Sequence, residues 1–457
     1  MYNKKNIYNL FYIFIASHIL VWTIVPTLTN QNLPLDTIEA LAWGSNLDWG
    51  FQKHPPLSAL AVEVFYQIFR KQDWAYYLLS QIFVSFSFII VWKLSEEFFK
   101  NNILSLVSVL LLEGIFYYNF TTPEFNVNVC QLPFWALTVY YSWKIVDQEK
   151  IKHFFLLGLF AGLGFLSKYL FIYLLISITI FFILFLFKKK QFKYVYLIPV
   201  AMFFIVISPH IFWLFKNDFV TIFYALKRTG IENSTIVQNL TLPFVFVIKQ
   251  VGILSIFFIL FSLAINKIKF KINFKDNKTF FLLIVNLLPI FLIFLTSFFV
   301  GIKIRTMWMT PFYLFFGVLF IYIFQLQFKK NNLKLFFAGF VFIFFISPSI
   351  YLYISQTKNT KRTDFPGNEI SYLVQKRWDK NFTNNISIVV GDEWYAGNLS
   401  YHLQSRPKWF NSIDSKLDKI DIKGGVIYVG NPKILKDICP GIFGTIKPVG
   451  ICMIGIK

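Results

Sequence analysis

The run Phe281–Val300, FLLIVNLLPIFLIFLTSFFV, carries no charged side chain over twenty residues. As a helix it is long enough to cross a hydrocarbon layer of about 30 Å, and no water-soluble fold can hide many such stretches. The chain has many. Leu174–Phe187 reads LLISITIFFILFLF, and apolar segments recur near residues 7–28, 75–92, 103–119, 128–146, 153–167, 169–187, 194–215, 242–265, 279–300, 307–326 and 334–354. Hydrophobic residues make up 56% of the sequence and charged ones 15%, against about a quarter in soluble domains. The expected fold is a polytopic α-helical membrane protein with about 11 transmembrane helices.

The first segment, MYNKKNIYNLFYIFIASHILVWTIVPTL, has a basic start and an apolar stretch too long for a signal peptide, with no small-residue cleavage site. It reads as an uncleaved first span with a cytoplasmic N-terminus. Alternate connections then hold Lys4 and Lys5, Lys93 and Lys100, Lys144, Lys150 and Lys152, the cluster Lys188–Lys193, five lysines from Lys267 to Lys278, and Lys329, Lys330 and Lys334. These are 19 basic residues, against nine in the opposite loops, the bias that orients membrane proteins. Ser167-Lys168-Tyr169 is read as an outer turn dividing 153–187 into two spans, because a single span there would reverse every later lysine cluster. The net charge of +21 is thereby assigned to lipid headgroups, and nucleic-acid binding is rejected.

An odd number of spans leaves the last hundred residues outside, where charged residues return and short strand-like runs appear, ISIVVGDEW and GGVIYVG, after a helical pattern around Glu369–Trp378. The expected division is a transmembrane domain over 1–355 and a small C-terminal α/β extracytoplasmic domain over 356–457. Cys439 and Cys452 are free to pair as a disulfide if that domain is extracytoplasmic. With Cys130 they show no metal-ligand spacing.

The outer loops concentrate polar chemistry. The first, PLDTIEALAWGSNLDWGFQKHPPL, contains Asp36, Glu39, Lys53 and His54 between two apolar pieces that read as interfacial helices, with Trp43, Trp49 and Trp74 at headgroup depth. Asp36 and Glu39, three apart, share a helix face, although an acid after LPL is equally a helix N-cap. The second outer loop, YYNFTTPEFNVN, has Glu124; the turn at 167–169 has Lys168 and Tyr169; the fourth has His210, Asp218, Lys227 and Arg228; the fifth has Lys303 and Arg305. Taken singly, cations such as Lys216 and Lys303 are headgroup contacts. Taken together, carboxylates and cations on one face suit a site where an acid activates an acceptor while Lys and Arg hold a phosphate.

These motifs resemble the polyprenol-phosphate-sugar-dependent transferases of the GT-C fold. The nearest group is the protein-mannosyltransferase-like family, glycosyltransferase family 39, with the aminoarabinose lipid A transferases as relatives. The resemblance rests on LDTIEALAWGSNLDWGFQKHPPL, PEFNVNVCQLPFWALTVY, GLFAGLGFLSKY, PHIFWLFKNDF and GDEWYAGNLSYHLQSRP, in that order along the chain. It implies a membrane glycosyltransferase of the bacterial inner membrane. The donor would be an undecaprenyl-phosphate-linked sugar, and the acceptor lipid A or another envelope glycan.

Asp36 falls at the family's first-loop catalytic acid. Thr37 stands where a second acid is usual, and Glu39 is the next carboxylate. Glu124 fits the second-loop acid and Lys168 the basic residue of the SKY turn. Arg305, His54 and Lys53 are candidates for the donor phosphate, and Tyr169, His210, Asp218 and Arg228 for the acceptor side. The implied chemistry is a single inverting displacement that needs no nucleotide cofactor. The Asp36, Glu39 and His54 set permits a divalent metal without demanding one. The alternative is a transporter or flippase of a lipid-linked sugar, which would favour polar groups at mid-membrane and internal repeats rather than a cluster at one face.

Overall fold

Every apolar segment read from the sequence forms helix in the computed structural model, which describes residues 4–457 apart from 191–192, 231–234, 267–268, 271, 328, 359 and 412–423. Lys267 and Lys271, two of the counted lysines, lie outside the described residues. The chain begins with α1 (Lys4–Thr29), α2 (Leu35–Gly44), α3 (Leu57–Phe69), α4 (Asp73–Phe99) and α5 (Asn102–Leu110). It continues with α6 (Val127–Cys130), α7 (Leu132–Gln148), α8 (Ile151–Ser167), α9 (Ile172–Lys189), α10 (Ile198–Lys216) and the short α11 (Val220–Thr229). The last membrane helices are α12 (Ile236–Ala264), α13 (Asn277–Val300), α14 (Phe316–Ile323) and α15 (Lys330–Thr357).

Seven of these, α1, α4, α9, α10, α12, α13 and α15, are long and apolar enough to span a membrane alone. An eighth span forms if α14 is joined to the 3-10 helix Thr306–Tyr313, which meets it at a 55° bend and contains Pro311. The other three segments expected to span form α5, α7 and α8, of 9, 17 and 17 residues. Polar and small residues hold the bundle. His18 Nδ1 lies 2.6 Å from Glu113 Oε1, a hydrogen-bonded contact buried between α1 and the turn after α5. On α8, a Cβ at Gly158 would sit 2.4 Å from the Pro199 carbonyl, and one at Gly162 would sit 2.7 Å from the Val206 side chain. Glycine is therefore what lets α10 approach.

The C-terminal domain contains α16 (Gly367–Asn381), α17 (Tyr395–His402), α18 (Pro432–Ile438) and a five-stranded sheet. Its strands are β1 (Ile388–Val390), β2 (Lys408–Phe410), β3 (Val426–Gly430), β4 (Ile442–Ile446) and β5 (Val449–Ile454), in the order β2-β1-β3-β5-β4. β1 pairs parallel with β2 and β3, while β5 pairs antiparallel with β3 and β4. Cys439 and Cys452 are bonded to each other, tying the end of α18 to β5.

The first loop is part of this domain's packing. Ala42, Trp43, Phe51 and Ala59 share one apolar core with Trp378, Ile427 and Met453. Trp43 is therefore buried under the sheet domain, not placed at headgroup depth as its amphipathic setting suggested, whereas Trp49 is exposed. A Cβ on Gly397 would come within 3.1–3.2 Å of Ala42 and Ile38, so α17 lies directly on α2. Arg406 completes the contact, donating to the Leu41 carbonyl at 2.6 Å and to Glu63 Oε2 at 2.9 Å.

Candidate active site

Asp36 stands in the first turn of α2. It does not cap its own helix: Pro34 occupies the N-cap with no side-chain bond. The cap comes from the second loop, where Glu124 Oε1 accepts the Asp36 backbone N–H at 3.1 Å. A carboxylate at a helix N-terminus is favoured by the unpaired amides and the dipole there. Thr37 Oγ1 adds a bond to the Phe125 carbonyl at 3.1 Å. The two early outer loops thus meet as the sequence motifs led one to expect.

Lys168 enters from the break between α8 and α9. Its ammonium donates to Asn128 Oδ1 and sits 5.1 Å from the centre of the Trp308 ring. Burial, with the Arg305 charge adding to it and Asp36 opposing, lowers its pKa to about 7. Arg305 is exposed at the start of the 3-10 helix Thr306–Tyr313, and its charge is felt at both Lys168 and Asp36.

The acids respond in opposite surroundings. Burial raises the pKa of Asp36, but Lys168, Lys53, Arg362 and Arg305 all pull it back. Glu124 is raised to about 8 by burial and then by the Asp36 charge. The two titrate as a pair, with four cations acting on Asp36 and Arg362 on Glu124. Glu39 is raised to about 7, burial outweighing its ion pair with Lys53.

Lys53 lies between two carboxylates. Its Nζ donates to Glu39 Oε1 at 2.8 Å and lies 3.2 Å from Glu393 Oε1. Burial works against its charge, yet Glu39 and Glu393 outweigh burial and raise its pKa. His54 follows it, edge-on to Trp43 at 5.9 Å between ring centres. Burial, reinforced by Lys168, Lys53 and Arg228, lowers the His54 pKa to about 3, so its ring is neutral at pH 7. It therefore brings no positive charge to a phosphate.

Tyr169 and His210 form a staple. His210 Nδ1 lies 2.6 Å from the Trp49 carbonyl, which can only accept, so that nitrogen carries the proton. Nε2 of the neutral ring then accepts from the Tyr169 hydroxyl at 2.6 Å. Together they pin the first loop to α9 and α10. Asp218 stands apart, in the left-handed turn between α10 and α11, and lines a neighbouring cleft. Arg228 is exposed on α11.

Two participants come from the C-terminal domain and were not singled out by sequence. Glu393 reaches Lys53. The guanidinium of Arg362 lies 5.5 Å over Trp394 and acts on both Asp36 and Glu124. The Thr363 carbonyl accepts the backbone N–H groups of Gln31 and Asn32, each at 3.0 Å, which brings Arg362 to the start of α2. Glu393 lies in GDEWYAGNLSYHLQSRP, one of the segments that carry the family resemblance. Among the described residues no three His, Cys, Asp or Glu side chains converge to hold a metal ion. Lys53 bridges Glu39 and Glu393.

Residues 53–213 match the family model described as dolichyl-phosphate-mannose-protein mannosyltransferase. With a helical bundle that gathers its polar loops at one end, the chain is similar to polytopic membrane proteins of the GT-C glycosyltransferase class. Within that class its fold is similar to ArnT from Cupriavidus metallidurans. The crystal structure of ArnT bound to undecaprenyl phosphate superposes with a TM-score of 0.66 at 9% identity, over 99% of this chain and 98% of that one. The apo structure of ArnT gives 0.64 at 9% identity, over 96% and 97%. No curated protein matches the sequence. The likeness of fold bears out the resemblance to GT-C transferases drawn from the motifs.

Proposed function

We propose that this chain transfers a sugar from an undecaprenyl-phosphate-linked donor to lipid A or another envelope glycan, at the outer face of a bacterial inner membrane. The observation that carries the reading is the meeting of Asp36 and Glu124, two buried acids, beside the cations Lys168 and Arg305. A relative in fold, ArnT, was crystallised with undecaprenyl phosphate, which supports the class of donor. The Cys439–Cys452 bond belongs to an oxidising compartment. With the lysine asymmetry, it supports an extracytoplasmic position for the C-terminal domain and the site against it.

In this reading the donor phosphate lies against Lys168 and Arg305, whose charges stabilise it as it leaves. The acceptor oxygen forms a bond to the anomeric carbon as the carbon–phosphate oxygen bond breaks, inverting that centre. The acceptor proton passes to Asp36. If the acceptor is itself a phosphate, Asp36 orients it and takes no proton. Glu124, protonated, keeps the pair to a single negative charge and fixes the turn carrying Asp36. Lys53 and Glu393 set the charge of Glu39, with His54 as a neutral neighbour. Transfer by purified protein in detergent, from a radiolabelled polyprenyl-phosphate sugar to lipid A, tests the reading. Labelled lipid A is expected, and donor consumed without any labelled acceptor would contradict it.

A further inference from the structure

Beside the catalytic cluster lies a cleft of about 390 Å³, walled by the first loop, the α10–α11 turn and the edge strand β2. Its chemistry differs from that of the ion-paired site. Trp43, Trp213 and Trp409 give it aromatic walls, and Asn46, Gln52, Asn217, the carboxylates of Asp48 and Asp218 and the ammonium of Lys216 give it hydrogen-bonding groups of both signs. The aromatic walls are fixed. Trp43 stacks on Phe51 at 5.5 Å and 15°, and Trp213 stacks on His210 at 5.9 Å and 13°. A Cβ at Gly50 would fall 2.4 Å from the Trp213 ring, so the loop backbone lies flush against the indole.

A ligand suited to this cleft needs apolar faces for the rings and many hydroxyls for the amides, carboxylates and ammonium. Its volume falls within the range of small-ligand sites. A pyranose has both features, whereas a phosphate lacks the apolar faces and a lipid tail lacks the hydroxyls.

We infer that this cleft is a saccharide subsite, holding a sugar ring of the acceptor glycan next to the reacting centre. The placement supports it: Trp43 lies one turn beyond Glu39 on α2, and Gln52 immediately precedes Lys53. In calling the ligand an acceptor we rely on the transfer reaction proposed above. Binding is measured without turnover, so the two ideas fail separately.

The test uses the full chain carrying Asp36→Asn, in detergent, titrated with a glucosamine disaccharide and separately with a hexose 1-phosphate, followed by saturation-transfer NMR. The disaccharide is expected to bind saturably, and Asn46→Ala and Gln52→Ala are each expected to weaken it about fivefold, the loss of roughly one hydrogen bond. Unchanged melting temperatures show that both variants fold. The hexose 1-phosphate is expected not to compete. Competition by it without disaccharide binding would transfer the subsite to the donor sugar and overturn the acceptor assignment. No saturable binding of either, or undiminished binding in both folded variants, would overturn the cleft itself.

Discussion

Glu124 Oε1 accepts the backbone N–H of Asp36 across 88 residues of sequence, so the helix that presents one acid is capped by the other. The pair therefore cannot be separated into a catalytic residue and a bystander. Changing Glu124 alters both the charge next to Asp36 and the start of α2.

Glu124→Gln keeps an oxygen for the Asp36 amide but cannot ionise. In the parent, Glu124 loses its proton as pH rises through about 8, placing a second negative charge beside Asp36 and the leaving phosphate. Turnover at saturating donor is expected to fall over that range in the parent and to lose that fall in the variant. A pH–rate profile from 6 to 9.5 reads it directly.

Lys168 sets the pH dependence of donor binding. Its ammonium is present below about pH 7 in the free enzyme and lost above, so the donor KM is expected to rise as pH increases through that value. Lys168→Met should give a high KM that no longer varies there. A KM that falls with rising pH in the parent would contradict the role.

Glu393 tests whether the C-terminal domain takes part in the chemistry. With Glu393→Gln, Lys53 is left to Glu39 alone and one like charge is removed, so the Glu39 pKa should move down from about 7. A shift of one unit corresponds to about 1.4 kcal/mol and would displace the acidic limb of the rate profile by that unit. An effect confined to melting temperature, with the profile unmoved, would make Glu393 purely structural.

Docking of the two domains depends on Arg406. Arg406→Ala leaves the Leu41 carbonyl and the Glu63 carboxylate without their donor in a mostly buried setting, at a cost of about 2–4 kcal/mol. Lowered melting in detergent, with faster hydrogen exchange in α2 and α17, is the expected outcome.

Much of this was legible in the sequence because it is local. Uncharged runs of twenty residues can only be membrane helices, and Ser167-Lys168-Tyr169 interrupts such a run where α8 ends and the chain restarts as α9. Asp36 and Glu124 stood out as acids in loops that otherwise belonged to a membrane. What was not legible depends on tertiary packing. Glu393 meets Lys53 only because Gly397 and Arg406 seat α17 on α2, more than 300 residues away, and no periodicity records that. α5, α7 and α8 read as apolar as their neighbours while forming shorter helices, because helix length is set by where packing and turns end each element. Trp43 was misplaced for a related reason: an aromatic residue on an amphipathic helix looks the same whether lipid or a second domain covers it.

The central claim is that Asp36 is the acid acting on the acceptor at the point where these loops converge. The most direct measurement is the rate of sugar transfer to the purified acceptor by Asp36→Asn, in protein whose melting temperature matches the parent. Loss of about 10²–10⁴-fold in kcat is predicted, the range expected for removing a general base. Transfer at the parent rate would contradict the account.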